Sequence, residues 1–233
     1  NSSSSHVWDV SNQTVLETIP HGRNLCRFSP DGRYLVQSSL GRLYIHDAET
    51  SQQIPIPSKT PIQFLDWHPR QPVFAYFEKE FVRLFDLRSM TSRLAIPVVH
   101  RTLFDVESKP TASNFSGVGA WNPQQENLLA FTSGEHILIW DLGNDQEVLR
   151  FSGHSQSPTA IEWDPQGQLL ASSSYDGTAR IWEASTGKEI RQFRNHNNNV
   201  NGIAWSPDGN RLATGGTDGT VRIWDVETGL EAL

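Results

Sequence analysis

One segment of the chain is written twice. Residues 153–183 read GHSQSPTAIEWDPQGQLLASSSYDGTARIWE, and residues 195–225 read NHNNNVNGIAWSPDGNRLATGGTDGTVRIWD. His154 and His196, Trp163 and Trp205, Pro165 and Pro207, Asp176 and Asp218, and Trp182 and Trp224 are matched, each pair 42 residues apart. A unit copied at such a step cannot bury its apolar face alone. It must stack on its neighbours, which restricts the chain to repeat architectures.

Each copy reads as an antiparallel meander. In the later one, apolar runs Val200 to Trp205, Arg211 to Thr214 and Thr220 to Trp224 are separated by Ser206-Pro207-Asp208-Gly209 and Thr217-Asp218-Gly219. Proline fixes φ on entering a turn, and glycine supplies the positive φ needed to leave it. Alternating β-branched and aromatic residues between such turns form strands, and Asp-Gly is a strong hairpin signal.

A period near 40, with a Gly-His, a turn aspartate and a closing Trp-Asp, marks a propeller blade. On these residues the chain resembles the WD-repeat (WD40) family. The closing pair recurs, with decay, at Trp8-Asp9, His46-Asp47, Phe85-Asp86, Trp140-Asp141, Trp182-Glu183 and Trp224-Asp225, at spacings of 38, 39, 55, 42 and 42. The resemblance implies an all-β fold, a β-propeller of four-stranded antiparallel blades. Residues 1–233 read as one propeller domain or a fragment of one: a half blade over 1–20, then blades over 21–57, 58–97, 114–152, 153–194 and 195–233. The last blade's outer strand is expected at Leu230 to Leu233. Further blades are expected before Asn1 or after Leu233, giving seven or more; the rival is a six-bladed ring that tolerates a two-stranded blade. The spacing of 55 exceeds the 42-residue repeat by 13 and places an insertion at about 98–113, either a plain loop or a projecting binding loop.

Composition narrows function by exclusion. A net charge of −7 opposes a nucleic-acid surface, which needs an excess of Lys and Arg. No apolar run approaches the roughly 20 residues of a membrane span, and the start NSSSSHVWDV lacks signal-peptide order. One cysteine, Cys26, excludes an intrachain disulfide and favours a reducing, cytoplasmic setting; it is expected as a buried, inert thiol in an inner strand. Scattered histidines and the absence of GxxxxGK[ST] or GxGxxG leave no expected metal or cofactor.

The resemblance also implies a structural tetrad in each well-formed blade: His154, Asp176, Ser172 and Trp182 in the fifth, His196, Asp218, Thr214 and Trp224 in the sixth. A Ser, His and Asp set invites a catalytic reading, but an active site occurs once and this set occurs twice, each time tied to a Trp. The degenerate blades carry Leu40, Lys79 and Gly134 at the turn-Asp position, and are expected to rely on apolar packing. Trp67, Trp121, Trp163 and Trp205, recurring at inner-strand ends, are expected in the core.

By the same resemblance, partners bind the top face, formed by loops entering the inner strands and by second-to-third-strand turns. It would present Ser157, Thr159 and Tyr175 from the fifth blade and Asn199, Asn201 and Thr217 from the sixth, with Asn24, Gln63 and Glu78 as weaker candidates. Tyr175 leads, because an exposed tyrosine gives contact area at low entropic cost. The expected function is a non-enzymatic scaffold or sensor in signalling that binds a protein or peptide. The alternative is a regulatory or substrate-gating propeller of a multidomain enzyme (a kinase, protease or nucleotide-switch chain), which a non-repeated carboxylate, His or metal set near the axis would favour. The sequence displays no such set.

Overall fold

The computed structural model describes residues 4–9, 14–20, 26–39, 42–50, 52–56, 62–78, 81–97 and 118–232. Among them every regular element is a strand and every strand pairing is antiparallel. A first sheet pairs β1, Ser4–Asp9, with β2, Thr14–Pro20. The second holds β3 (Cys26–Phe28), β4 (Tyr34–Ser39), β5 (Arg42–Asp47) and β6 (Gln52–Pro55). The third holds β7 (Ile62–Trp67), β8 (Val73–Glu78), β9 (Phe81–Asp86) and β10 (Thr91–Pro97). The fourth holds β11 (Gly119–Trp121), β12 (Leu128–Ser133), β13 (His136–Asp141) and β14 (Gln146–Phe151). The fifth holds β15 (Pro158–Trp163), β16 (Leu169–Ser174), β17 (Ala179–Glu183) and β18 (Glu189–Phe193). The sixth holds β19 (Val200–Trp205), β20 (Arg211–Gly216) and β21 (Val221–Asp225).

Period-two alternation gives a sheet two faces, and the third, fourth and fifth sheets pack on both. In the third sheet Phe74, Tyr76 and Phe85 pack on Val36, Leu43 and Ile45 of the second, whereas Val73, Ala75 and Phe77 pack on Leu129 and Phe131 of the fourth. In the fifth, Leu170 and Trp182 meet Ile137, Ile139 and Phe151 of the fourth, while Ala171, Ala179, Ile181 and Phe193 meet Leu212 and Trp224 of the sixth. The first strands of successive sheets lie together, β7 with β11, β11 with β15 and β15 with β19. They form the inner side of the stack, and the fourth strands the outer side.

The indoles at inner-strand ends also stitch sheets together. Trp67 donates to the Arg27 carbonyl (2.9 Å), Trp163 to that of Ala120 (3.0 Å) and Trp205 to that of Glu162 (3.1 Å), each in the preceding sheet. Trp121 departs from this pattern: its indole turns to Glu126 of its own sheet, and its backbone N–H donates to the Asp66 carboxylate at 2.9 Å. Trp67, Trp121 and Trp163 are buried, and Trp205 is half-buried.

The expected outer strand at Leu230 to Leu233 falls within the described residues as far as Ala232. Among the described residues it is a single bridge, Glu231 with Trp224, extended by an Ala232 N–H bond to the Ile223 carbonyl. Val221 is 73% exposed, whereas the matching Ala179 is buried opposite Phe193. The 98–113 insertion, Asn24, Leu40, Lys79 and the side chains of Cys26 and Gln63 lie outside the described residues.

Candidate binding face and its supporting network

Four side chains of the fifth sheet meet in one chain of bonds. His154 Nδ1 lies 2.8 Å from Asp176 Oδ2, His154 Nε2 lies 2.8 Å from Ser172 Oγ, and Trp182 Nε1 donates to the same hydroxyl at 2.9 Å. An ionised carboxylate only accepts, so Nδ1 carries the proton and Nε2 receives the Ser172 hydroxyl proton. The sixth sheet repeats the arrangement. His196 Nδ1 stands 3.1 Å from Asp218 Oδ2, His196 Nε2 stands 2.8 Å from Thr214 Oγ1, and Trp224 Nε1 donates to Thr214 at 2.9 Å. Each carboxylate also takes a hydroxyl and two backbone N–H groups: Thr178 and Ser155 serve Asp176, and Thr220 and Asn197 serve Asp218. The Asp-Gly turn above allows this geometry, with Gly177 at φ 80° and Gly219 at φ 79°.

The other sheets lack this turn. Their second-to-third-strand connections are two-residue hairpins, with Ser39 opposite Arg42, Glu78 opposite Phe81 and Ser133 opposite His136. A hairpin that tight has no room for the turn aspartate. The hydroxyl position is then filled by Gln37, Tyr76 or Phe131. Phe74 stacks on Phe85 (5.4 Å between centroids), and Trp140 turns its indole to Asp145. The expectation that all three rely on apolar packing is corrected in the second sheet. There buried His46 Nε2 bonds Gln37 Oε1 at 2.8 Å, a polar pair in place of the indole and hydroxyl.

On the same edge, the turn after β16 and the loop entering β19 border a cleft of about 400 Å³. Tyr175, Asp176, Gly177 and Thr178 line one wall, and Arg194 with His196 to Asn199 the other. Tyr175 is 38% exposed. His196, Asp176 and Thr178 are engaged in the networks just described, as is the Asn197 backbone N–H; the side chains of Arg194, Tyr175 and the three asparagines are not.

The chain matches the family described as WD domain, G-beta repeat, over residues 145–183 and 187–225. The two matched segments are offset by the same 42 residues and contain both four-membered networks. Residues 145–183 and 187–225 are WD repeats. No curated protein matches it in sequence. WD repeats in general mediate binding between proteins.

The blades distribute the expected top-face residues unevenly. Tyr175 and Asn199 line the cleft, and the Thr217 N–H closes on the Asn199 carbonyl at 2.8 Å. Ser157 gives its carbonyl to the Tyr175 N–H, and Asn201 is exposed on β19. The Thr159 hydroxyl bonds Ser173 Oγ and donates to the Val200 carbonyl, so it joins the last two blades. Glu78 is held in an ion pair with Arg83 (2.7 Å).

The inner strands bring together a non-repeated charged cluster that the sequence did not display. Arg27, Asp66 and Glu162 come from the innermost strands of the second, third and fifth sheets, with Arg27 Nη1 at 2.8 Å from Asp66 Oδ1. Burial raises the Asp66 carboxyl above its ordinary range against the pull of Arg27, and burial likewise raises Glu162. The bulge between Phe64 and Asp66 in the β7–β8 pairing sets Asp66 out of the simple alternation, which concealed it in the sequence.

The networks predict acid sensitivity. Burial lowers the His154 pKa below 6.5, outweighing the attraction of Asp176. Burial pushes the Asp176 carboxyl up, but the bonds from Thr178 and His154 win and hold it low; the Thr220 hydroxyl does most to hold Asp218 low. A depressed histidine binds fewer protons folded than unfolded, so its contribution is full above pH 6.5 and fades as pH falls through the folded value. The lowered carboxylates lose theirs only below the ordinary value of 3.8. The melting-temperature advantage of wild type over His154→Gln is therefore expected to narrow from about pH 7 to pH 5. An equal gap at both ends of that range would remove His154 from the account.

Proposed function

We propose that the chain is a non-enzymatic interaction module, a scaffold or sensor in signalling, that holds a protein or peptide on its top face at the cleft between the last two blades. The cleft carries this reading: it is open, the Arg194, Asn197, Asn199 and Tyr175 side chains on its walls take no part in the two networks, and Tyr175 stands 38% exposed. The Ser/His/Asp sets support a non-catalytic role, since both are consumed in tying a Trp to a turn. A single cysteine and a net charge of −7 suit a cytoplasmic module whose partners are neither nucleic acid nor membrane.

The trio Arg27, Asp66 and Glu162 favours a second reading, a propeller that gates or carries a site in its channel for an attached enzyme. It ranks second because both Asp66 oxygens already hold groups of the chain, Arg27 and the Trp121 N–H. Capture of a partner by the immobilised chain tests the first reading. Tyr175→Ala and Asn199→Ala are each expected to weaken capture by roughly tenfold or more, as central contact residues do. Undiminished capture by both variants would place binding elsewhere.

A further inference from the structure

We propose that the cleft between the last two blades reads a carboxylate, an acidic side chain of the bound peptide, through Arg194. The inference rests on the interaction-module reading and names the chemistry that the cleft selects.

Arg194 is the arginine on the cleft wall, and among the described residues it lacks an acidic partner; Arg191, which also lacks one, donates to the Ile190 and Glu227 carbonyls and does not line the cleft. Arg150 pairs with Glu147, Arg180 with Glu189 and Arg222 with Glu231. Arg194 gives one N–H to Gln192 Oε1 (2.7 Å), and among the described residues no carboxylate pairs with it. Asp176, on the facing wall, cannot serve. Its side chain is 5% exposed, and its oxygens already take His154, the Ser155 N–H and both donors of Thr178.

The remaining groups on the walls are rich in donors. The Asn198 Oδ1 accepts from the Asn199 N–H at 2.8 Å, which leaves its Nδ2 as the free end of that amide. Asn197 and Asn199 add two more amides, and Tyr175 adds a hydroxyl. One guanidinium flanked by neutral N–H and O–H donors matches a singly charged, planar acceptor, which it binds in bidentate fashion. A dianion would bring a second negative charge beside Asp176 and Asp218 with no second cation to meet it.

Two neutral-capped amino acids that differ only in this feature test the proposal: N-acetyl-glutamate N-methylamide and N-acetyl-glutamine N-methylamide, titrated at roughly millimolar concentrations. The readout is the nitrogen–proton NMR spectrum of the full chain, at the side-chain amides of Asn197 to Asn199 and the Arg194 Nε–H. The glutamate compound is expected to shift these signals and to bind roughly fivefold or more tightly than the glutamine compound. Arg194→Gln should erase the difference, and Arg211→Gln, away from the cleft, should keep it. Equal binding of the two compounds, no shift with either, or a glutamate preference that survives Arg194→Gln would each overturn the proposal. The two readings fail separately. Equal binding of the compounds with partner capture still lost in Tyr175→Ala sinks carboxylate selection alone, whereas capture indifferent to the cleft variants sinks the module reading.

Discussion

Trp182→Ala is expected to lower the unfolding free energy by about 3–5 kcal/mol, the range for truncating a large buried aromatic residue. The reasons are local and separable. Trp182 is among the largest fully buried side chains, and it packs with Ile137, Ile139 and Leu170 in the layer between the fourth and fifth blades. The Phe151 ring lies 5.5 Å away, so alanine leaves a cavity that two blades line together. The lost indole N–H also leaves Ser172 short of a donor in a site without solvent access. The check is a urea denaturation curve whose midpoint falls while its slope holds. Phe28→Leu is the control. Phe28 occupies the position of the inner-strand Trp residues but is 52% exposed, so its replacement is expected to cost under about 0.5 kcal/mol. Similar midpoint shifts for the two variants would refute the assignment of Trp182 to the core.

The contrast between these residues shows what a repeat reveals in sequence. Trp182 and Trp224 were legible because residue type, turn and spacing recur together, and a recurring set reports a recurring environment. The strand limits followed the same logic: β9 and β13 begin and end where the alternation and the turns place them. What stayed hidden depends on how one blade sits against the next. That Trp67 donates to the Arg27 carbonyl follows from the stacking of two sheets, and no property of either segment alone announces it.

Decayed blades failed to read for a different reason. In the clear copies the hydroxyl precedes the Trp by ten residues, Ser172 to Trp182; in the second blade Gln37 precedes His46 by nine, because the hairpin between them is tighter. Allowing for that shorter turn would have aligned Gln37 with Ser172 and exposed the buried pair. The cleft was partly visible, through Tyr175 and Asn199. Arg194 was not, since it precedes the loop histidine and belongs to no repeated position with a role. Its significance lies in lacking an acidic partner, which only the packing of the folded chain reveals.

Thr214→Val is expected to cost about 2–4 kcal/mol although it preserves the shape of the side chain, because it leaves two buried polar groups without partners. Thr214 is buried, and its hydroxyl stands between His196 Nε2 at 2.8 Å and Trp224 Nε1 at 2.9 Å. Valine fills the same volume and answers neither group. The fourth blade contains a natural version of the change. Phe131 stands at the hydroxyl position, and there the Trp140 ring is only half-buried, with its N–H turned to Asp145. That indole escaped to the blade's edge, a route that Trp224 lacks while Phe193 is stacked on it at 4.7 Å. A second substitution separates lost bonds from lost packing. Trp224→Phe added to Thr214→Val removes the stranded indole donor, so the double variant is expected to be less unstable than the sum of the singles by about 1 kcal/mol or more, a coupling typical of residues sharing a bond. Additive losses would mean that the hydroxyl contributes through packing alone, and the network would then be incidental to the stability of the blade.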